Sequence, residues 1–188
     1  PLRVRSISVD AHLLNTLGVQ PAQGRFFNQE ETDRAGGLAP PLAILSSELW
    51  QTALGGQPLI GHTLNVDGRP HEILGIMPSG TDVMDNRTAI WLALGLPAAI
   101  RQDRSFHILQ VIGRLKDGVT AQAAQTELNA FLEDWGERTV SSGHVPTNHP
   151  SGAADHTLQM QPVQDAIVGD ARRSIWILQV AVGCVLLI

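Results

Sequence analysis

The sequence predicts a mixed α+β fold in which helices and hairpins are interleaved without a regular strand–helix repeat. Three observations predict it. Short apolar runs, several with period-two alternation, recur along the chain and mark strands. Between them lie segments with helical apolar spacing, opened by a capping residue and closed by glycine. One Asp67-Gly68 pair between two alternating segments marks a tight hairpin. The resulting order is strand–helix, strand–helix–hairpin–strand, strand–helix–strand. A doubly wound sheet would need a crossover helix after nearly every strand, and this order does not supply one.

Each element has its own signal. Residues 3–9 set Val4, Ile7 and Val9 among polar neighbours and read as a short strand. Asp10 stands at an N-cap position before a helix over 11–17, with Leu13, Leu14 and Leu17 on one face and Gly18 as the left-handed stop. Residues 19–28 read as extended and turn-rich. Glu30, Glu31 and Asp33 read as an acidic surface run, and 35–41 (AGGLAPP) as a loop. Residues 42–45 make a buried strand. Ser46 caps a helix to about Leu54, with Leu45 and Trp50 spaced for a hydrophobic staple and Gly55-Gly56 as its end.

The hairpin joins 63–66 to 69–77, with Pro70 expected near the turn or on an edge because it cannot donate to a ladder. Pro78-Ser79-Gly80 closes it, and 89–94 is a further strand. Residues 106–115 (FHILQVIGRL) are the expected central strand. Thr120 caps a helix to about Gly136 that carries Ala124, Leu128, Phe131, Leu132 and Trp135 on one face. A polar loop over 140–154 precedes a last strand over 156–163.

Composition narrows the function classes. The 188 residues are 43% hydrophobic and 16% charged, ordinary for a packed fold and too apolar for a disordered tail. Thirteen Lys+Arg against 18 Asp+Glu give a net charge of −5, which argues against nucleic-acid binding. One cysteine excludes an internal disulfide and a cysteine-cluster metal site.

The usual chemical motifs are missing. His144, His149 and His156, with Asp155, are irregularly spaced in a loop, and no HExxH is present. His107 reads as a structural histidine on a strand. Gly55, Gly56 and Gly61 surround a helix end, where an anion cradle needs a helix start, and the only lysine is Lys116. No Gly-x-Ser-x-Gly elbow occurs. Cys184 lies in an apolar run that disfavours a thiolate. The carboxylate pairs Glu30/Glu31, Asp82/Asp85 and Glu133/Asp134 read as solvated charge, and Asn86-Arg87-Thr88 as a chance sequon. No catalytic, cofactor or metal residue is assigned.

The chain starts at Pro1 without a signal-peptide pattern and reads as part of something longer. Its last 14 residues, IWILQVAVGCVLLI, hold only Gln179 and Cys184 as polar side chains. A buried C-terminal helix is one reading. A helix of that kind normally keeps a polar stripe, which is missing, so the start of a membrane-spanning helix fits better. Trp176 suits an interfacial anchor, whereas Arg172 and Arg173 run against an outside location under the positive-inside rule. Ile177, Leu178, Val180, Val182, Val185, Leu186 and Leu187 would then face lipid.

Four phrases occur in order. They are residues 8–27 (SVDAHLLNTLGVQPAQGRFF), 42–78 (LAILSSELWQTALGGQPLIGHTLNVDGRPHEILGIMP), 111–128 (VIGRLKDGVTAQAAQTEL) and 163–188 (VQDAIVGDARRSIWILQVAVGCVLLI). Together they resemble the MacB-like periplasmic core domain of ABC-transporter permeases, in the FtsX-like, acidobacterial duplicated-permease style. Residues 81–104 and 140–155 match poorly and are expected to be variable loops.

The resemblance implies a porter-like βαβ subdomain from 1–28 plus 105–164, and an inserted sabre-like subdomain centred on 42–94. It further implies a connector over 165–174 and the start of a transmembrane helix over 175–188. The domain would face the periplasm from the inner membrane, perform no chemistry and need no cofactor. It would pass motion, driven by a separate ABC ATPase subunit, to a periplasmic substrate or adaptor. A second permease domain, as a homodimer or duplicated half, and membrane lipid complete the implied partners. Asp165, Ile167, Val168, Gly169 and Asp170 are the expected coupling segment. Two other classes stay open: a ligand- or peptide-binding sensor module, which needs a deep pocket, and a soluble hydrolase, which needs the histidines to converge on a carboxylate.

Overall fold

The computed structural model describes residues 2–33, 39–81, 87–102, 108–139 and 158–166. They belong to two compact units, Pro1–Arg114 and Leu115–Ile188. The class is α+β, as the sequence predicts.

In the first unit, six strands among the described residues form one mixed sheet. They are β1 (Arg5–Val9), β2 (Gln23–Gly24), β3 (Leu42–Leu45), β4 (Thr63–Val66), β5 (Arg69–Ile76) and β6 (Thr88–Ala93). The order is β1-β6-β3-β5-β2, with β4 also beside β5. β1 runs parallel to β6 and β3 parallel to β5, while β3–β6, β2–β5 and β4–β5 are antiparallel. The helices are α1 (Leu13–Leu17), α2 (Gln29–Thr32), α3 (Ser47–Thr52) and α4 (Ala98–Gln102).

The centre of the sheet falls where apolar runs are unbroken. β3 (LAIL) and β6 (TAIWLA) are covered on both faces, so both sets of alternating side chains must be apolar. Ile44, Trp91 and Ala93 join Val9, Leu14, Phe27, Leu74 and Met77 in one core cluster. Ala43, Leu45 and Ile90 join Leu49, Val66 and Ile73 in the other. Burying a large apolar side chain contributes about 1.5–3 kcal/mol, so these two layers hold the unit together.

The local signals are realised in detail. Asp67 (φ 50°) and Gly68 (φ 80°) make a two-residue turn with both φ values positive, as a type I′ hairpin requires. Asn65 pairs with Pro70 and Val66 with Arg69, so Pro70 sits against the peripheral strand next to the turn. The Ser46 hydroxyl accepts from the Leu49 N–H at 3.0 Å and caps α3. Leu45 and Leu49 share a core cluster, whereas Trp50 is half-buried and donates its indole N–H to the Gln57 carbonyl at 2.7 Å.

Other expectations are corrected. α1 begins at Leu13, two residues later than predicted, because the Asp10 carboxylate accepts from the His12 and Leu13 N–H groups and closes a turn ahead of the helix. Gly18 does end it in the left-handed region, at φ 72°. The acidic run is a helix: Asn28 and Glu31 form a reciprocal capping box at the start of α2.

Residues 108–115 are not a strand, and no described strand pairs with them. A strand needs a ladder partner for its backbone groups, and none is described beside this segment, where Val111 is 91% exposed. Residues 106–107 of the expected strand lie outside the described residues, as do 34–38, within which most of the predicted AGGLAPP loop falls.

In the second unit, α5 (Ala121–Thr139) is capped by Thr120, whose hydroxyl accepts from Ala123 N–H at 3.1 Å. Ala124, Leu128 and Leu132 are half-buried, but Phe131 is 54% exposed. The predicted strand over 156–163 is not formed in its described part. Instead the Gln125 amide holds that segment, donating to the Leu158 carbonyl and accepting from the Met160 N–H at 2.8 Å. One side chain thereby supplies the donor and acceptor a neighbouring strand would have offered.

Candidate functional site

The described titratable residues do not converge on a reaction centre. Among the described residues no group of three His, Cys, Asp or Glu could hold a metal ion. His107, His144, His149, His156, Asp155, Asp82, Asp85 and Cys184 lie outside the described residues, as does Asn86 of the sequon. Thr88, its third residue, is buried on β6. Glu133 and Asp134 are exposed on α5.

The ion pair between Arg25 and Glu31 is structural. Arg25 donates to Glu31 through both terminal nitrogens, at 2.9 and 2.7 Å, and to the Phe26 carbonyl at 3.0 Å. Glu31 also accepts from the Asn28 N–H at 2.9 Å. The Arg25 hydrogen bonds, followed by that of Asn28, hold the Glu31 carboxyl below its ordinary range, and Glu31 raises Arg25 in turn. Glu48 on α3 is lowered chiefly by the Gly80 N–H, which donates to it at 3.0 Å and ties the turn after β5 to the helix. Each of these carboxylates is engaged in holding backbone. Neither faces a second acid or base.

A groove of about 700 Å³ lies in the first unit at the carboxyl ends of the parallel strands β1 and β6. Its floor comes from Ile7 and Val9, with Leu94 joined to β1 by a 2.9 Å bond from its N–H to the Val9 carbonyl. Leu13 of α1, Ile100 of α4 and residues 108–112 form the sides. Arg114 fixes that last stretch by donating to the Thr16 carbonyl of α1 at 2.8 Å. Arg101 holds α4 through the Leu96 carbonyl at 3.0 Å.

The lining is apolar apart from Ser8, Asp10, His12, Thr16 and Gln110. One oxygen of Asp10 is already spent on the turn before α1. Such a groove can cover apolar surface, but it offers no paired acid and base. It is also open: Ile108 and Leu109 are 58% and 53% exposed. A sensor module would need a deep, enclosed pocket, and this cleft beside a solid core is not one.

Of the expected coupling segment, Asp165 is described. It is exposed in the single turn over 163–166 that the Ala166 N–H closes onto the Pro162 carbonyl. Ile167, Val168, Gly169 and Asp170 lie outside the described residues. So does the whole expected membrane anchor, from Trp176 and Ile177 through Leu178, Val180, Val182, Val185 and Leu186 to Leu187. Among the described residues no helix is long and apolar enough to cross a membrane.

Sequence reasoning missed Arg25, Asn28 and Glu31 as a unit, although Asn-x-x-Glu is a capping-box signal that could have found the last two. Nothing local marks Arg25, Arg101, Arg114 or Gln125, because their partners are backbone groups brought near by the fold.

The model of the MacB-like periplasmic core domain matches residues 2–131. Among solved structures, the chain is similar to the periplasmic region of MacB from Actinobacillus actinomycetemcomitans, at 14% identity and a TM-score of 0.47 over 69% of this chain and 56% of that one. It is also similar to the extracellular domain of the noncanonic ABC-type transporter YknZ from Gram-positive bacteria, at 15% identity and a TM-score of 0.38 over 47% of this chain and 42% of that one. The chain thus spans about half the length of these structures. No curated protein matches it.

Proposed function

Because this chain belongs to the MacB-like periplasmic core domain family, we propose that it is the extracytoplasmic domain of an ABC-transporter permease and acts as a mechanical transmitter. Hydrolysis of ATP in a separate cytoplasmic subunit moves the membrane helices. The helices move this domain, and the domain does work on a periplasmic substrate or adaptor. In this reading the porter-like part is 1–28 with 105–164, the inserted part centres on 42–94, and 165–174 connects to the start of a transmembrane helix over 175–188. The family match over residues 2–131 carries the reading. A sheet covered by apolar layers on both faces supports it, because a transmitter has to move as a body without deforming.

The test uses the full-length permease assembled in lipid with its ATPase. A nitroxide is placed at Gln51→Cys, an exposed site on α3, on a Cys184→Ser background. The distance between labels on the paired permease domains is then measured without nucleotide and with ATP trapped. The expected outcome is a displaced distance distribution in the trapped state. Identical distributions, in an assembly that still hydrolyses ATP, would overturn the transmission reading.

A further inference from the structure

We draw no further inference here: the strongest candidate, the open apolar groove at the carboxyl ends of β1 and β6 between α1, α4 and residues 108–112, belongs to the site already described, and nothing in the structure shows what covers it.

Discussion

At the scale of single residues, the side chains with the clearest physical roles fasten backbone. Glu31 accepts from Arg25 and from the Asn28 N–H, which depresses its folded-state pKa. A depressed carboxylate contributes stability that is present above its unfolded value of about 4.3 and is lost as pH falls through the lower folded value. Glu31→Gln should therefore cost about 1 kcal/mol at pH 7, the modest size reflecting a half-exposed Arg25 and a glutamine oxygen that still accepts from the Asn28 N–H. The difference from wild type should shrink as pH drops below about 4; urea midpoints measured across that range check it, and a pH-independent difference would contradict the ion-pair account.

Trp91 poses the opposite case. It is fully buried, and its indole N–H has no hydrogen-bond partner among the described residues. Losing an unpartnered donor offsets lost volume, so Trp91→Phe should stay within about 1 kcal/mol of wild type, whereas Ile44→Ala in the same cluster should cost about 2–5 kcal/mol. A Trp91→Phe penalty as large as that of Ile44→Ala would mean the N–H has a partner. Caps such as Ser46 and Thr120 were legible beforehand, because their hydrogen bonds close within three residues. Arg114, whose acceptor is 98 residues away in sequence, was not.

At the scale of elements, legibility follows the range of the interaction that makes the element. The β4–β5 hairpin is dictated by Asp67-Gly68 and alternation, and it forms in the predicted register. α3 and α5 carry their own caps and appear where expected. Residues 106–115 looked like a central strand because they are apolar, yet a strand exists only through its neighbour. No described strand pairs with residues 108–115, while β3 and β6 take the centre. β2 shows the same dependence from the other side. It is two residues long and has no sequence signal, and it exists because Gly24 lets the chain press against β5.

A Cβ built on Gly24 would lie 2.1 Å from the Leu74 carbonyl oxygen, with the backbone at φ +71°. Gly68 has a similar φ of +80°, but no neighbour lies within 4 Å. The pair separates backbone strain from collision. Gly68→Ala should cost about 1–2 kcal/mol. Gly24→Ala should cost roughly 3 kcal/mol or more, because the clash adds to the strain. Denaturant unfolding of the two variants reads the difference; equal losses would show that β2 can withdraw from β5 at little cost.

At the scale of the whole molecule, transmission asks for a stiff body and a stiff join. The first unit meets the former requirement with two apolar layers on one sheet. The sequence showed this only as scattered apolar runs, since which runs share a layer is decided by strand order. The candidate site was legible to a different degree. The groove unites residues 7–16, 94–100 and 108–112, a combination that no local pattern announces. The coupling segment is an expectation that follows from the family resemblance, and of it only Asp165 is among the described residues.

The join is where the proposal is most exposed to test. If 165–174 carries force, a flexible stretch inserted after Asp165 must absorb the motion before the domain receives it. A Gly-Ser insertion of about six residues behaves as a coil with a root-mean-square span of roughly 12–15 Å and resists small displacements with entropy alone. In the full-length permease the insertion should leave membrane assembly and ATP turnover near wild type, while the nucleotide-dependent shift of a label at Gln51→Cys disappears. An inserted proline-rich stretch of equal length, being semi-rigid, should retain part of that shift. If the label still moves as in wild type through the Gly-Ser insertion, force reaches the domain by another route, and the coupling role of Asp165, Ile167, Val168, Gly169 and Asp170 falls while family membership stands.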